Sequence, residues 1–394
     1  MSRSAAAIPI AAILLELAFA ASGAQAASFE DLGGFFGGGT IRFEGLSGDG
    51  GTLVGRTTGG AQLGVRWRAG TGWEDLGTPT GNTRIDARAA SFDGSRIAGN
   101  GDATGGMRWV EGSGWQALNL PNDAVTAAIS ADGSRVGGWF FFGNEIVQHT
   151  GLVLWESGAG TDTYEETFAG SAIQLTDLSA DGGIMLATRS FTFGSRVVRV
   201  TQEGVSTFPP SEPQNASCID LCGAVGRAIS ADGTTIVGGV SLDVFTFAPP
   251  QAARWSGTEA PLVLGFLDPP AAEPMSLAYD VSGDGSIVVG ESDGRAFIWT
   301  EALGMADLGQ ALAATGLDLS GWTLASARAI SSDGTVLAGT GTNPSGAYAI
   351  WRAVAPELAA APSPVPALAG PFRVAAGLTL LALGMRAAKR GRRG

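Results

Sequence analysis

The chain has 394 residues, of which 45% are hydrophobic and only 15% charged, with 61 glycines and a formal net charge of −13. A disordered chain would be poor in apolar residues, so this composition excludes general disorder and is typical of a turn-rich β protein. The acidic balance also makes nucleic acid and anionic membrane surfaces poor partners.

The first 26 residues have the pattern of a secretory signal peptide. Arg3 provides a positive start, residues 8–21 are mostly apolar, and a small-x-small motif ends at Ala26. We therefore predict residues 1–26 to be a signal peptide that is cleaved between Ala26 and Ala27 during export. A retained membrane helix is the alternative, and the short apolar core argues against it.

Seven copies of the phrase Ser-x-Asp-Gly follow, and their aspartates are 39 to 52 residues apart. Asp-Gly between apolar runs is a strong hairpin signal, because Gly adopts positive φ freely and Asp tolerates it. A period of about 47 residues is the size of one four-stranded blade, so the repeats predict an all-β, seven-bladed β-propeller. The copies begin at Ser47, Ser91, Ser130, Ser179, Ser230, Ser282 and Ser331.

Each copy continues in a similar way. An apolar pair that ends in Gly follows most turns, then a tryptophan, and several copies close with Gly-x-x-x-Leu. We expect each tryptophan to pack as a wedge between neighbouring sheets, since it can bury a large apolar area there. Calcium would need several acidic residues close in sequence, whereas each turn offers one carboxylate, so we predict no metal at the turns. The tryptophans are Trp67, Trp109, Trp155, Trp255, Trp299 and Trp351, and the fourth copy lacks one.

The last copy lacks its outer strand, and a matching segment stands at the other end of the chain. Residues 29–33 read Phe-Glu-Asp-Leu-Gly, which matches residues 73–77 and 305–309. We predict that this N-terminal strand completes the seventh blade beside Trp351. Closure of this kind removes exposed sheet edges that would invite aggregation.

The chain has two cysteines, Cys218 and Cys222. In an exported protein the default interpretation is a disulfide between them, although so small a loop contributes little stability. A metal site would need two further ligands, and the only histidine, His149, lies in a different repeat. We therefore predict a disulfide, no metal site and no cofactor.

The C-terminal end has three parts. A Pro/Ala-rich linker is predicted over residues 356–370, after a propeller of residues 27–355. An apolar helix and a basic tail are predicted over residues 371–394. The apolar run is short for a stable membrane span, and the basic tail would remain on the cytoplasmic side.

Two resemblances follow from these residues. The C-terminal organisation is similar to the PEP-CTERM sorting signals of Gram-negative bacteria. Pro364-Val365-Pro366-Ala367 lacks the usual Glu-Pro pair, which leaves open a variant sorting class or an ordinary tail anchor. The repeats resemble the HAF repeat family of extracellular proteins, best over residues 227–238 and 296–309. Together they imply processing by an exosortase-type enzyme, a transient inner-membrane anchor, a cell-surface or extracellular location, and exopolysaccharide or surface components as partners.

One repeat position suggests a binding site. Three residues before the repeat serine, on the strands that would line a central channel, stand Arg88, Arg227, Tyr279 and Arg328 among others. Three arginines and a tyrosine there would form an anion- or sugar-binding mouth. The alternative is that each arginine bridges two blades structurally.

The sequence contains no arrangement that identifies a reaction. His149 has no Gly-x-Ser-x-Gly nearby, and the turns lack the Asp-box form of propeller sialidases. Our main interpretation is therefore a non-enzymatic binding or scaffold propeller. A secreted polysaccharide-acting hydrolase or lyase on the same scaffold is the alternative, because the separation of paired carboxylates cannot be read from sequence.

Overall fold

The computed structural model describes residues 26–359 apart from eight short gaps. The predicted disulfide, the predicted signal peptide up to residue 25 and the predicted C-terminal helix and tail all lie outside the described residues. The gaps are 122–123, 144–147, 166–171, 192–193, 204–205, 208–222, 242–248 and 268–273.

The described chain is built almost entirely of short strands. It has two short helices, α1 (Leu308–Ala314) and α2 (Pro356–Ala359). The strands are β1 (Ser28–Asp31), β2 (Phe35–Phe36), β3 (Gly39–Leu46), β4 (Thr52–Thr58), β5 (Gly64–Arg68), β6 (Gly72–Asp75), β7 (Ile85–Ala90), β8 (Arg96–Gly101), β9 (Gly105–Val110), β10 (Gly114–Ala117), β11 (Val125–Ile129), β12 (Arg135–Gly143), β13 (Gln148–Glu156), β14 (Gly160–Glu165), β15 (Ala172–Leu178), β16 (Ile184–Phe191), β17 (Gly194–Thr201), β18 (Ser206–Thr207), β19 (Gly223–Ile229), β20 (Thr235–Ser241), β21 (Gln251–Ser256), β22 (Leu262–Gly265), β23 (Ser276–Val281), β24 (Ile287–Ser292), β25 (Arg295–Thr300), β26 (Gly304–Asp307), β27 (Thr323–Ile330), β28 (Val336–Thr342) and β29 (Tyr348–Val354).

These strands form seven antiparallel sheets, which are the seven blades of a propeller, as predicted. Six sheets have four strands, and the first has a fifth because β2 adds to the free edge of β3. Blades are numbered here by their Ser-x-Asp-Gly turn. The strand before each turn lies at the inner side of its blade, and β2 extends this side in blade 1, so the central channel is enclosed by β3, β7, β11, β15, β19, β23 and β27.

The N-terminal strand closes the ring, and this prediction is also confirmed. Strand β1 pairs antiparallel with β29 and places Asp31 opposite Trp351. Arg352, which is only 3% exposed, donates to Glu30 at 3.1 Å and to the Gly50 carbonyl of blade 1 at 3.1 Å. The two ends of the propeller are therefore joined both to each other and to the first blade.

Each Ser-x-Asp-Gly turn is held by the same hydrogen bonds. In blade 3, the Ser130 hydroxyl donates to Asp132 at 2.7 Å and accepts from the backbone N–H of Arg135 at 3.0 Å. Asp132 also accepts from the backbone N–H of Ser134 at 2.9 Å. Hydrogen bonds from Ser130 and Ser134 hold the pKa of Asp132 below its ordinary value. The aspartates are thus turn-forming residues, as the sequence analysis proposed.

The turns also form a continuous ring around one end of the channel. In each turn a backbone N–H donates across the blade boundary to the carbonyl of the variable x residue in the next turn, at 2.8–3.0 Å. The series includes Phe92 to Ala131 and Gly283 to Ser332, and Ser332 donates to Gly48 to complete the circle. Seven such bonds tie the blades together at this end. We call the opposite end, where the inner strands begin, the mouth.

The repeat tryptophans pack between blades as expected. Trp255 and Trp351 are fully buried, and Trp67 is 6% exposed. Arginines beside them add a contact that the sequence analysis missed, because each lies over the tryptophan of the next blade. The guanidinium-to-ring distances are 4.4 Å for Arg66 over Trp109, 4.6 Å for Arg108 over Trp155, 5.9 Å for Arg254 over Trp299 and 5.6 Å for Arg352 over Trp67.

Two details differ from the expectations. The leucine of the Gly-x-x-x-Leu phrase directly follows the outer strand, and Leu308 begins α1, a helix that the sequence analysis did not predict. The segment from residue 356, predicted as linker, begins with α2, whose Leu358 and Ala359 pack against the core between blades 6 and 7. Neither helix in the described part of the chain has the length and apolar character needed to cross a bilayer.

Candidate functional site

Every inner strand carries a β-bulge at the same place. The register between the first two strands of each blade shifts by one residue, so that the residue three places before the repeat serine is left unpaired. Bulges of this kind redirect a side chain, and here they define one level of the channel. The bulged residues are Glu44, Arg88, Ala127, Thr176, Arg227, Tyr279 and Arg328.

Blades 5 to 7 place a tyrosine between two arginines at this level. The Arg328 guanidinium lies 4.7 Å from the centre of the Tyr279 ring, and Arg227 is exposed beside them. The Tyr279 hydroxyl donates to Glu291 at 3.1 Å. Burial and the charge of Glu291 raise the pKa of Tyr279, while Arg328 and Arg227 act in the opposite direction. The phenol is therefore protonated at neutral pH.

Blades 1 and 2 carry a network of ion pairs instead. Glu44 lies 3.0 Å from Arg42 and 3.2 Å from Arg56, while Asp86 lies 3.1 Å from Arg88. Arg88 also approaches Glu44 of the neighbouring blade at 4.0 Å. The predicted ligand residues thus fall into two groups: Arg227, Tyr279 and Arg328 lie together, whereas Arg88 contacts carboxylates of two blades.

Two aspartates directly after the bulge link neighbouring inner strands. Asp177 accepts from the backbone N–H groups of Leu178 at 2.8 Å and Ile229 at 2.9 Å, and Asp280 does the same in blade 6, accepting from Ile330 at 2.8 Å. Although each retains some accessible surface, it lies among the inner strands, where solvent cannot surround the carboxylate. Burial raises the pKa of both aspartates to about 7.

The sequence analysis missed Glu291 and Tyr348 at the mouth. Glu291 directly follows the Gly of the Val-Val-Gly phrase, and hairpin pairing places that position beside the bulge. Tyr348 is 39% exposed and donates to the Ile41 carbonyl at 3.3 Å. The pKa of Tyr348 is raised above its ordinary value, because the effect of burial outweighs the opposite effect of the nearby Arg328 and Arg42. The repeat alignment contained the signal for Glu291. No other repeat has a tyrosine three residues before its tryptophan, as Tyr348 stands before Trp351.

Solved structures that resemble this chain are propellers. The oligogalacturonate lyase of Vibrio parahaemolyticus matches with a TM-score of 0.54 at 12% identity, covering 84% of this chain and 98% of that one. An oligogalacturonate lyase in complex with manganese matches with a TM-score of 0.53 at 13% identity, covering 85% and 98%. A prolyl endopeptidase matches with a TM-score of 0.51 at 13% identity, covering 84% of this chain and 47% of that one. No family model and no curated protein matches by sequence.

These likenesses establish the fold. They also contradict our main interpretation of a non-enzymatic binding or scaffold propeller, because two of these structures are oligogalacturonate lyases and 98% of each lyase chain aligns with this chain. They favour the alternative, a polysaccharide-acting enzyme on a propeller scaffold. The export signals and the HAF and PEP-CTERM resemblances remain predictions.

The manganese in one of these structures raises the question of a metal here. Among the described residues, no group of three or more His, Cys, Asp or Glu side chains is placed to hold a metal ion. His149 packs against Phe142, with ring centres 5.3 Å apart, in the hairpin of blade 3. The described residues therefore do not fit a manganese site.

Proposed function

We propose that this protein is an extracellular lyase that cleaves an acidic polysaccharide at the bulge level of the central channel. The observation that carries the proposal is the hydrogen-bonded pair Tyr279 and Glu291, held beside Arg328 and Arg227. The likeness to the two oligogalacturonate lyases supports the substrate class. The predicted signal peptide supports action outside the cell.

Arginines suit the first requirement of this chemistry, which is to bind a uronate carboxylate. A guanidinium presents several donors in a plane and matches a carboxylate in two-point hydrogen bonding. Arg227 is exposed, and Arg328 is exposed on the side not covered by Tyr279. Neutralising the carboxylate would make the hydrogen on the adjacent carbon more acidic and stabilise the charge that develops there.

The tyrosine–glutamate pair suits the proton transfers. Glu291 would take the proton from the carbon next to the carboxylate, and the released electron pair would form a carbon–carbon double bond. The carbon–oxygen bond on the neighbouring carbon would break, and Tyr279 would give its proton to the departing oxygen. Glu291 could then return its proton to Tyr279 across their 3.1 Å hydrogen bond, which restores both groups without consuming water.

A hydrolase fits the same channel less well. Most glycoside hydrolases place two carboxylic groups across the bond, one of them protonated. Glu44 and Asp86 instead share arginines, and Glu291 is bonded to Tyr279. Asp177 and Asp280 have raised pKa values, but both of their oxygens are engaged by backbone N–H groups.

The experiment is an assay of the full chain on polygalacturonate and on alginate. Elimination produces a double bond conjugated with the carboxylate, which is followed by ultraviolet absorbance. Tyr279→Phe and Glu291→Gln should each lower kcat by about 100-fold or more, since each removes one proton-transfer group. Tyr164→Phe is the matched control, because Tyr164 lies on β14 of blade 3 and its hydroxyl donates to the Gln202 carbonyl of blade 4, away from Tyr279 and Glu291.

Two results would contradict the proposal. New reducing ends without the absorbance would indicate hydrolysis. Unchanged turnover in Tyr279→Phe, with the same melting temperature as the parent, would remove the pair from the reaction.

A further inference from the structure

A cavity of about 490 Å³ lies on the mouth side of the propeller between α1 and the start of β27. Its volume falls within the range of small-ligand sites. It lies outside the bulge level, and none of the residues assigned to proton transfer lines it. The polar and aromatic residues that line it are Arg295, Asp307, Gln310, Asp318, Ser320, Trp322 and Thr323.

The cavity is built by the connection between blades 6 and 7, residues 308–322. Helix α1 is capped by Asp307, which accepts from the Gln310 N–H at 3.0 Å, and it is anchored by the buried Leu308 and Leu312. Gly321 has φ +79°, and a side chain there would also meet Pro344 at 3.0 Å. The walls are therefore fixed by the fold before any ligand arrives, which reduces the cost of binding.

One wall is aromatic. Trp322 is held edge-on by Phe29 of the closing strand, with ring centres 5.1 Å apart and planes at 77°. It is only partly buried, and it lines the cavity. A rigid indole of this kind offers an apolar surface together with one N–H donor.

The charges of the lining residues disfavour an acidic ligand. Arg295 is the single cation of the lining, and it already lies 3.5 Å from Asp307. Asp318 is exposed and accepts from the Ser320 N–H at 2.9 Å. The lining therefore carries one net negative charge, in contrast to the arginines beside Tyr279, and a carboxylate in the cavity would be repelled by Asp318.

We propose that this cavity binds one uncharged pyranose unit of a saccharide. The apolar face of a sugar ring suits Trp322, and its hydroxyl groups are donors that suit Asp318 and acceptors that suit the amide of Gln310. This assignment does not depend on the lyase reaction, because it uses different residues. It adds a neutral sugar to the chemistry that the protein recognises.

The test is calorimetric titration of the full chain with maltotriose, cellotriose, mannotriose and galactotriose, with trigalacturonate as the acidic comparison. At least one neutral trisaccharide should bind more tightly in the parent than in the double variant Gln310→Ala, Asp318→Ala, by tenfold or more. Both side chains are exposed, so the double variant should keep the parent melting temperature. Asp162→Ala, an exposed carboxylate in blade 3, and Arg328→Gln should leave neutral-sugar affinity unchanged.

Three results overturn the assignment. They are no heat of binding with any neutral trisaccharide, equal affinity in the parent and the double variant, or trigalacturonate binding that the double variant loses. Neutral-sugar binding that persists in Tyr279→Phe, although polygalacturonate cleavage is lost, would support the neutral-sugar site as separate from the lyase site. Polygalacturonate cleavage without neutral-sugar binding would support the lyase alone.

Discussion

The turn end of the channel and the bulge level lie only three residues apart on each inner strand, yet they differ in one respect. At the turns all seven blades present the same serine, aspartate and glycine, and the same backbone bond joins each blade to the next. At the bulges the backbone is equally regular, but the side chains range from Ala127 to Tyr279 and Arg328. Identical side chains at a repeated position are expected where the residues have a structural role. Side chains that vary from blade to blade on the same backbone are expected at a binding or catalytic site.

The largest effect expected at a repeated position is that of Trp351→Ala. Trp351 is fully buried and stacks on Phe29 of the closing strand at 6.2 Å. Its loss should cost about 3–5 kcal/mol of unfolding free energy, measured by urea denaturation. Trp115→Ala, a partly exposed tryptophan outside the repeat position, should cost less. An equal loss in both variants would show that the wedge position is not special.

A smaller loss is expected from serine substitutions in two different turns. Ser331→Ala and Ser130→Ala each remove a buried hydroxyl that accepts a backbone N–H and donates to the turn aspartate. Each should cost about 1–3 kcal/mol, and the two costs should agree because the turns are equivalent. Turnover per folded molecule should not change. Widely different costs would break the claim that the turn ring is uniform.

The dependence of stability on pH should separate the two kinds of aspartate. The pKa of Asp132 is lowered on folding, so its contribution is present above its unfolded pKa and is lost as the pH falls below about 4. The pKa values of Asp177 and Asp280 are raised to about 7, so stability should decline as the pH rises from about 4 to 7. The slope should not exceed about 1.4 kcal/mol per pH unit for each of these two groups.

The double variant Asp177→Asn, Asp280→Asn keeps one acceptor oxygen at each position and removes the titration. Its unfolding free energy, measured by urea denaturation at several pH values, should lack the decline between about pH 4 and 7. Persistence of the same decline in this variant would assign it to other groups.

The smallest effect is expected from Arg88→Gln. Arg88 is 32% exposed and paired with Asp86 and Glu44, and partly exposed ion pairs contribute about 1 kcal/mol or less. Its contacts match the blade-bridging alternative, so polygalacturonate turnover should change less than twofold. A tenfold loss of turnover with unchanged stability would instead add Arg88 to the site beside Arg328.

Much of the fold could be predicted because its signals are local and repeated. An Asp-Gly turn between apolar runs is a strong hairpin signal, and the phrase at residues 29–33 shares Asp-Leu-Gly with its two counterparts. The bulges were not predicted, since they depend on strand register. Helix α1 and strand β2 occur once each in the described chain, so no repeat could reveal them.

The candidate site was predictable only in part for the same reason. The repeat alignment placed Tyr279 and Arg328 in one ring of the channel, but which neighbours contact each other depends on side-chain direction across blade boundaries. Asp177 and Asp280 replace small residues at a single repeat position. Their effect arises from burial and from bonds to the next blade, which a sequence does not display.

The pairing of β1 with β29 has a consequence for how this protein matures. Residue 31 meets residue 351, so the last sheet cannot be completed until nearly the whole chain has been synthesised and delivered to one compartment. Contacts between such distant segments slow folding, because the ends must find each other first. A chain truncated before residue 348 would lack β29, the strand that pairs with β1, and would leave the circle open between its first and last blades. Closure of the ring therefore depends on a strand from each end of the propeller.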